Sequence, residues 1–145
     1  MEFINRIIHA LTELHPTHPM LVHFPIALTG AAFLFILLAY WRKSPALEQS
    51  AFANITLASV STVVAGITGY MDNIRNYVGD APNATTKIIL AITLFLLTSA
   101  IGIVRYRNPE MFTRGNRVLY IGSYGLSFAI ALVLAFLGGV ILYGL

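Results

Sequence analysis

From Pro19 to Tyr143 the chain carries four apolar runs, each long enough to cross a bilayer, divided by short polar stretches. A helix needs about 20 consecutive apolar residues to span roughly 30 Å of hydrocarbon. In that medium each backbone N–H and C=O must be satisfied within the segment, so such runs take the form of helices. The predicted spans are about 19–41, 51–73, 85–106 and 118–143. Only 10% of the 145 residues are charged, against about 25% in a soluble domain, too few to cover a water-facing surface. The expected fold is all-α: a single domain over 1–145, an integral membrane four-helix bundle, with the lipid bilayer as its first partner.

Ahead of the first run, Glu2 to Leu14 read as an amphipathic helix. Phe3, Ile4, Ile7, Ile8, Leu11 and Leu14 recur at helical spacing, with Glu2, Asn5, Arg6, His9, Thr12 and Glu13 on the other face. It is too short to span, and its pattern suits a helix lying in the membrane interface or docked on a partner. The N-terminus lacks a basic stretch leading directly into an apolar core, and no small-residue cleavage pattern follows the first run, so that run is expected to be kept as a span.

Prolines shape the entry to the first span. His15, Pro16, Thr17, His18 and Pro19 interrupt the helix, because proline disfavours helix in the residue before it. Pro19 suits the first position of the next helix. Pro25 cannot donate to the Leu21 carbonyl, so a kink and a free acceptor are expected there. Trp41, Arg42 and Lys43 close the span, and residues 44–50 are expected to form a short loop.

In the second span Ser59, Thr62, Gly66, Gly69 and Asn73 follow one face. In the fourth, Ser123, Ser127, Ala131, Ala135 and Gly139 recur every fourth residue. Both stripes let a neighbouring helix come close. Asn83, Thr85 or Thr86 is expected to cap the third span, and Lys87 to snorkel toward the headgroups. Tyr40, Trp41, Tyr70, Tyr106 and Tyr143 read as an aromatic belt.

Four spans put both termini on one side. The loops after the first and third spans carry Arg42, Lys43, Arg105, Arg107, Arg114 and Arg117, against Arg6, Arg75 and Lys87 on the opposite side. The positive-inside rule makes the first set cytoplasmic, so both termini and the histidines are expected to face outward, to periplasm or cell exterior. His18, His23, Asp72, Asn73, Thr86, Lys87 and Tyr143 then share one level near the outer face. His23 shares a helix face with Ala27 and Gly30 and is expected to point into the bundle. The positive end of the helix dipole favours a neutral imidazole there.

The stretch His18–Leu28, HPMLVHFPIAL, resembles the signature of a family of small bacterial membrane proteins, domain of unknown function twenty-two thirty-one. The matching residues are His18, Pro19, His23, Phe24, Pro25, Ile26, Ala27 and Leu28, with Thr68, Gly69 and Asp72 as a second part. The resemblance covers the first three spans and implies a four-helix membrane protein considered a candidate haem or redox module. Many members carry a further histidine early in the third span. The equivalent stretch here, Asn83 to Lys87, has none.

Two readings of His18 and His23 stand side by side. In one, His18 caps the first span while His23 hydrogen-bonds Asp72 or a loose carbonyl such as that of Leu21, locking helices together. In the other they ligate a haem b or a divalent metal ion. All four histidines precede residue 24, so two could hardly flank one haem iron; a single histidine with Met20, Met71 or a second chain is needed. A divalent ion could draw on His15, His18, His23 and Asp72.

Other classes are set aside. Without cysteine there is no disulfide or thiolate site. The net charge of +3 sits in loops and is no nucleic-acid footprint. No phosphate loop, dinucleotide fingerprint, zinc-protease motif or nucleophile elbow is present, so enzymatic activity is not expected. Transport is disfavoured by uncharged span centres and unrelated halves. The expected function is a small membrane module of an electron-transfer system, holding a haem or metal ion through His18 and His23 with Asp72 behind them. The alternative is a non-catalytic accessory subunit of a larger membrane complex. A homo-oligomer or other membrane subunits are the expected protein partners.

Overall fold

A computed structural model describes residues 2–9, 17–114 and 116–143. Its helices are α1 (Glu2–His9), α2 (Thr17–Arg42), α3 (Pro45–Tyr77), α4 (Ala84–Arg107), α5 (Met111–Arg114) and α6 (Arg117–Tyr143), and the described residues include no strand. The long helices α2, α3, α4 and α6 are each apolar and long enough to cross a membrane. Each packs against its neighbour in sequence, and α6 closes on α2. The expected four-helix membrane bundle is therefore the observed one. The expected amphipathic helix is seen as α1; its continuation over 10–14, with His15, lies outside the described residues.

The second span starts earlier than its apolar run implies. Residues 44–50 are helix, not loop. Lys43 adopts a left-handed φ of 51° and ends α2. Ser44 then caps α3 by accepting from the Leu47 N–H at 3.4 Å, and Pro45 takes the first helical position. This two-residue turn makes α2 and α3 a tight antiparallel pair and carries Glu48 inside the bundle, 3% exposed.

At its far end α3 stops where Val78 takes a left-handed φ of 52°, with Gly79 at 86°. Asn73 holds this turn: its Oδ1 accepts from the Ala81 N–H at 2.9 Å and its Nδ2 donates to the Gly79 carbonyl at 3.3 Å. Asn83 sits at the N-cap of α4 but makes no capping bond through its side chain. Its own φ of 56° turns the chain into the helix, and Lys87 N–H reaches the Asn83 carbonyl at 3.0 Å.

The core runs along a narrow stripe of α2: Pro25, Thr29, Ala32, Ile36 and Ala39 are buried, at the spacing of one helix face. Ala32 and Ile36 pack with Ala51, Ile55, Ile101, Tyr120 and Tyr124. Proline does not interrupt this helix, and Thr29 Oγ1 donates to the Pro25 and Ile26 carbonyls. The small-residue stripe of α6 turns inward at Ser127 and Ala131, which are buried, but not at Gly139, whose Cβ position has open space around it. In α3 the stripe divides. Ser59 and Thr62 are buried, whereas the Cβ position of Gly66 has open space around it.

Ser59 Oγ and Ser99 Oγ meet at 2.7 Å between α3 and α4. Interhelical hydrogen bonds in membranes average about 0.6 kcal/mol. A double-mutant cycle on Ser59→Ala and Ser99→Ala is expected to return a coupling of that size, measured by unfolding in mixed micelles.

Candidate functional site

The two ends of the bundle each gather polar side chains. At the end where α2 begins, His18 falls on the buried stripe of α2, seven residues before Pro25. Its ring lies against Gly69 of α3. A Cβ built at Gly69 would come within 2.7 Å of His18 Cε1 and 3.2 Å of both ring nitrogens, so only glycine leaves room for the imidazole.

The tautomer of His18 follows from its partner. Nδ1 lies 3.3 Å from Thr68 Oγ1. Thr68 has one hydroxyl proton, directed to the Val64 and Ala65 carbonyls at 3.1 Å each. Toward His18 the hydroxyl therefore accepts, and Nδ1 carries the hydrogen. The neutral ring keeps its lone pair on Nε2. This bond ties α2 to α3 through His18 and Thr68, whereas the sequence reading makes His18 a cap and gives the linking bond to His23; α2 begins at Thr17, so His18 lies within the helix.

His23 is placed differently from the sequence expectation. It is exposed on the outside of the bundle, as is Ala27; of that face only Gly30 is closely packed, against Phe128. The reason is the narrowness of the buried stripe: His23, two residues before Pro25, lies about 200° around the helix from it. Its Nδ1 is 2.5 Å from the Pro19 carbonyl oxygen, not from Leu21 or Asp72. A carbonyl only accepts, so His23 is also protonated at Nδ1 and offers Nε2.

Asp72 and Lys87 belong to this end, as expected. Their charges act on the His18 ring and on each other. Asp72 Oδ1 accepts from Asn76 Nδ2 at 2.5 Å. Asn73 instead holds the α3–α4 turn. His18 and His23 are five residues apart, so their side chains leave the axis about 140° apart and the rings do not converge. Among the described residues no three His, Asp or Glu side chains form a group able to hold a metal ion. The expected ligand set is thus not assembled from His18, His23 and Asp72 of one chain, and His15 lies outside the described residues.

At the opposite end the structure shows a cluster that sequence reasoning missed. Arg105 of α4 grips Glu48 of α3 with both edges: Nε donates to Oε1 at 2.5 Å and Nη2 to Oε2 at 2.8 Å. Tyr120 of α6 donates to Glu48 Oε1 at 3.0 Å, and its hydroxyl oxygen is 2.9 Å from that of Tyr124. Glu48, Tyr120 and Tyr124 are buried, and Arg105 is half-buried. Three spanning helices meet at one carboxylate. Arg105 is therefore not a free loop cation. The spacing of Tyr120 and Tyr124, one turn apart at the mouth of an apolar run, was the available signal.

The exposed aromatics fit the belt: Tyr40, Trp41, Tyr70 and Tyr106 all face outward. The Tyr143 side chain is outside the described set.

No curated protein and no solved structure matches the chain. A family model described as a predicted membrane protein, DUF2231, matches residues 14–144. That match takes in all four spanning helices and both polar clusters, and the chain therefore belongs to the DUF2231 family of predicted membrane proteins.

Proposed function

We propose that this chain is a non-enzymatic membrane module of an electron-transfer system in the bacterial inner membrane, with His23 as a ligand to a haem b or a divalent metal ion. The observation that carries the reading is the posture of His23. Its ring is pinned through Nδ1–H to the Pro19 carbonyl and turned out of the bundle, with Nε2 open. Ligating imidazoles characteristically donate their second N–H to such an oxygen, which fixes ring and tautomer.

The fit sets a condition. One chain offers one outward imidazole, so the remaining ligands come from a second copy or another membrane subunit. When bound, a haem would supply one-electron chemistry; the chain's own residues bind and orient it. His18 fixes the α2–α3 entry through Thr68, and the Asp72 carboxylate adds negative charge at the same level. The surplus of Lys and Arg at the other end supports the outward orientation of this one. Pairing of Arg105 with Glu48 leaves that inference standing, because the rule counts basic residues and not net charge.

The test is an absorption spectrum with metal analysis on the purified protein. A Soret band or stoichiometric metal is expected, lost in His23→Ala while helical content is kept. A well-folded preparation that is colourless and metal-free overturns the reading. The second reading, an accessory subunit, is then favoured by α1: Phe3, 75% exposed, with Ile4 and Ile7 forms an apolar face that the described residues leave uncovered. Stoichiometric copurification of a partner, lost on deleting residues 2–9, is its expected result. Of the α6 ridge, Ser127 and Ala131 lie inside the bundle, whereas the Cβ position of Gly139 has open space around it, so only that end of the ridge is left for docking.

A further inference from the structure

We propose that the Arg105 end of the bundle holds a binding site for an anionic phospholipid, with the phosphate between Lys43 and Arg117 and an acyl chain in the crease between α2 and α6. Two cavities carry this. One, of about 620 Å³, is lined by Trp41, Lys43, Glu48, Arg105 and Phe112 among others. The second, of about 750 Å³, runs past Phe33, Leu37, Val118, Ile121 and Gly122. Both include Tyr40, Thr113 and Arg117 in their walls, so they adjoin at these side chains, the first bordered by cations and the second mainly apolar.

The charges at the cationic end are available. Arg105 is neutralised by Glu48. Lys43 and Arg117 are exposed side chains in the wall of the first cavity. Arg117 is held in place by donating from Nε to the Phe112 carbonyl at 2.9 Å and from Nη2 to the Thr113 carbonyl at 3.2 Å. Its guanidinium lies over the Tyr40 and Phe112 rings, which leaves the Nη1 edge for an incoming oxygen. At the apolar end Gly122 contributes only backbone, with no atom within 4 Å of its Cβ position.

A small soluble anion would use the cations and leave the crease empty; an uncharged lipid would do the reverse. A zwitterionic lipid brings its own choline cation beside Lys43 and Arg117, so only a lipid whose phosphate keeps a net negative charge uses both ends fully, and basic pockets between spanning helices are known to take such headgroups.

Delipidated full-length protein should be titrated with phosphatidylglycerol or phosphatidylcholine of identical chains and bound lipid counted by native mass spectrometry. Two surface cations, each worth about fivefold, predict a preference for phosphatidylglycerol of about thirty-fold. Lys43→Gln, which leaves the Arg117 contacts intact, is expected to cut it about fivefold. Gly122→Leu, filling the crease, is expected to lower retention of both lipids, and glycerol phosphate is expected not to compete. Equal retention of the two lipids by the wild type, or unchanged retention in Gly122→Leu, overturns the proposal. Displacement by glycerol phosphate also overturns it, reducing the site to one for simple anions.

Discussion

Replacing Glu48 with alanine is expected to cost the bundle about 3–5 kcal/mol. The carboxylate receives three donors, Arg105 Nε, Arg105 Nη2 and the Tyr120 hydroxyl, at 2.5, 2.8 and 3.0 Å. Truncation strands both guanidinium donors, while the Tyr120 hydroxyl keeps Tyr124 as a partner; the Arg105 side chain is only 13% exposed, so water cannot replace the lost acceptor freely. The penalty comes from the charge left behind more than from the bond removed, which makes a sharp secondary prediction. The pair Glu48→Met and Arg105→Met together is expected to recover most of the loss, because matched apolar replacement of a buried ion pair is often neutral. SDS-driven unfolding in mixed micelles, followed by circular dichroism, measures both. A Glu48→Ala protein within about 1 kcal/mol of wild type would show that the cluster does not hold α3, α4 and α6 together.

Gly69→Leu is expected to cost about 3 kcal/mol and to displace His18 from Thr68. Overpacking a filled site typically costs about 1–3 kcal/mol, occasionally more. Here the first added atom already falls 2.7 Å from the imidazole, so the ring and the start of α2 must move. Gly69→Ala should be milder, since the gain of about 1 kcal/mol in helix propensity offsets part of the clash. Gly66, one turn earlier in α3, is the control: nothing lies within 4 Å of its Cβ position. Gly66→Ala is therefore expected to be neutral or stabilising by up to about 1 kcal/mol. The same unfolding assay, with the His18 ring nitrogens followed by NMR, separates the two glycines. If both substitutions behave alike, the close approach of His18 to α3 is wrong.

The four spans were legible because an apolar run has one outcome in lipid. Their ends were less so. The start of α3 at Pro45 was written in the Ser44-Pro45 pair, a cap followed by a first-position proline, but the polar residues around Glu48 gave the stretch the composition of a loop. His18 was expected as a cap and instead sits within α2 against Thr68, and His23 was expected to point inward and instead faces out. Ala27 and Gly30 suggested a packed face for His23, whereas the true face is set by Pro25, Thr29, Ala32, Ile36 and Ala39. A run hydrophobic all round carries almost no periodic signal, so only contacts with other helices decide which side is inward. The Glu48 cluster escaped notice for a related reason. Its members are 57 and 72 positions apart, and each stands at the end of a span, where a charge is ordinarily solvated.

The helix α3, at 33 residues, is about 50 Å long at 1.5 Å per residue, well beyond a hydrocarbon slab of about 30 Å. Its two acids bracket the uncharged stretch of the helix. Glu48 and Asp72 are 24 positions apart in the sequence, about 36 Å along the axis, close to the thickness of the acyl layer at a modest tilt. One acid is moored to an arginine at one rim, the other stands beside His18 and Lys87 at the opposite rim. This single helix thus works as a depth gauge, and a thinner or thicker host bilayer would have to be met by leaning α3, carrying the histidine rim with it.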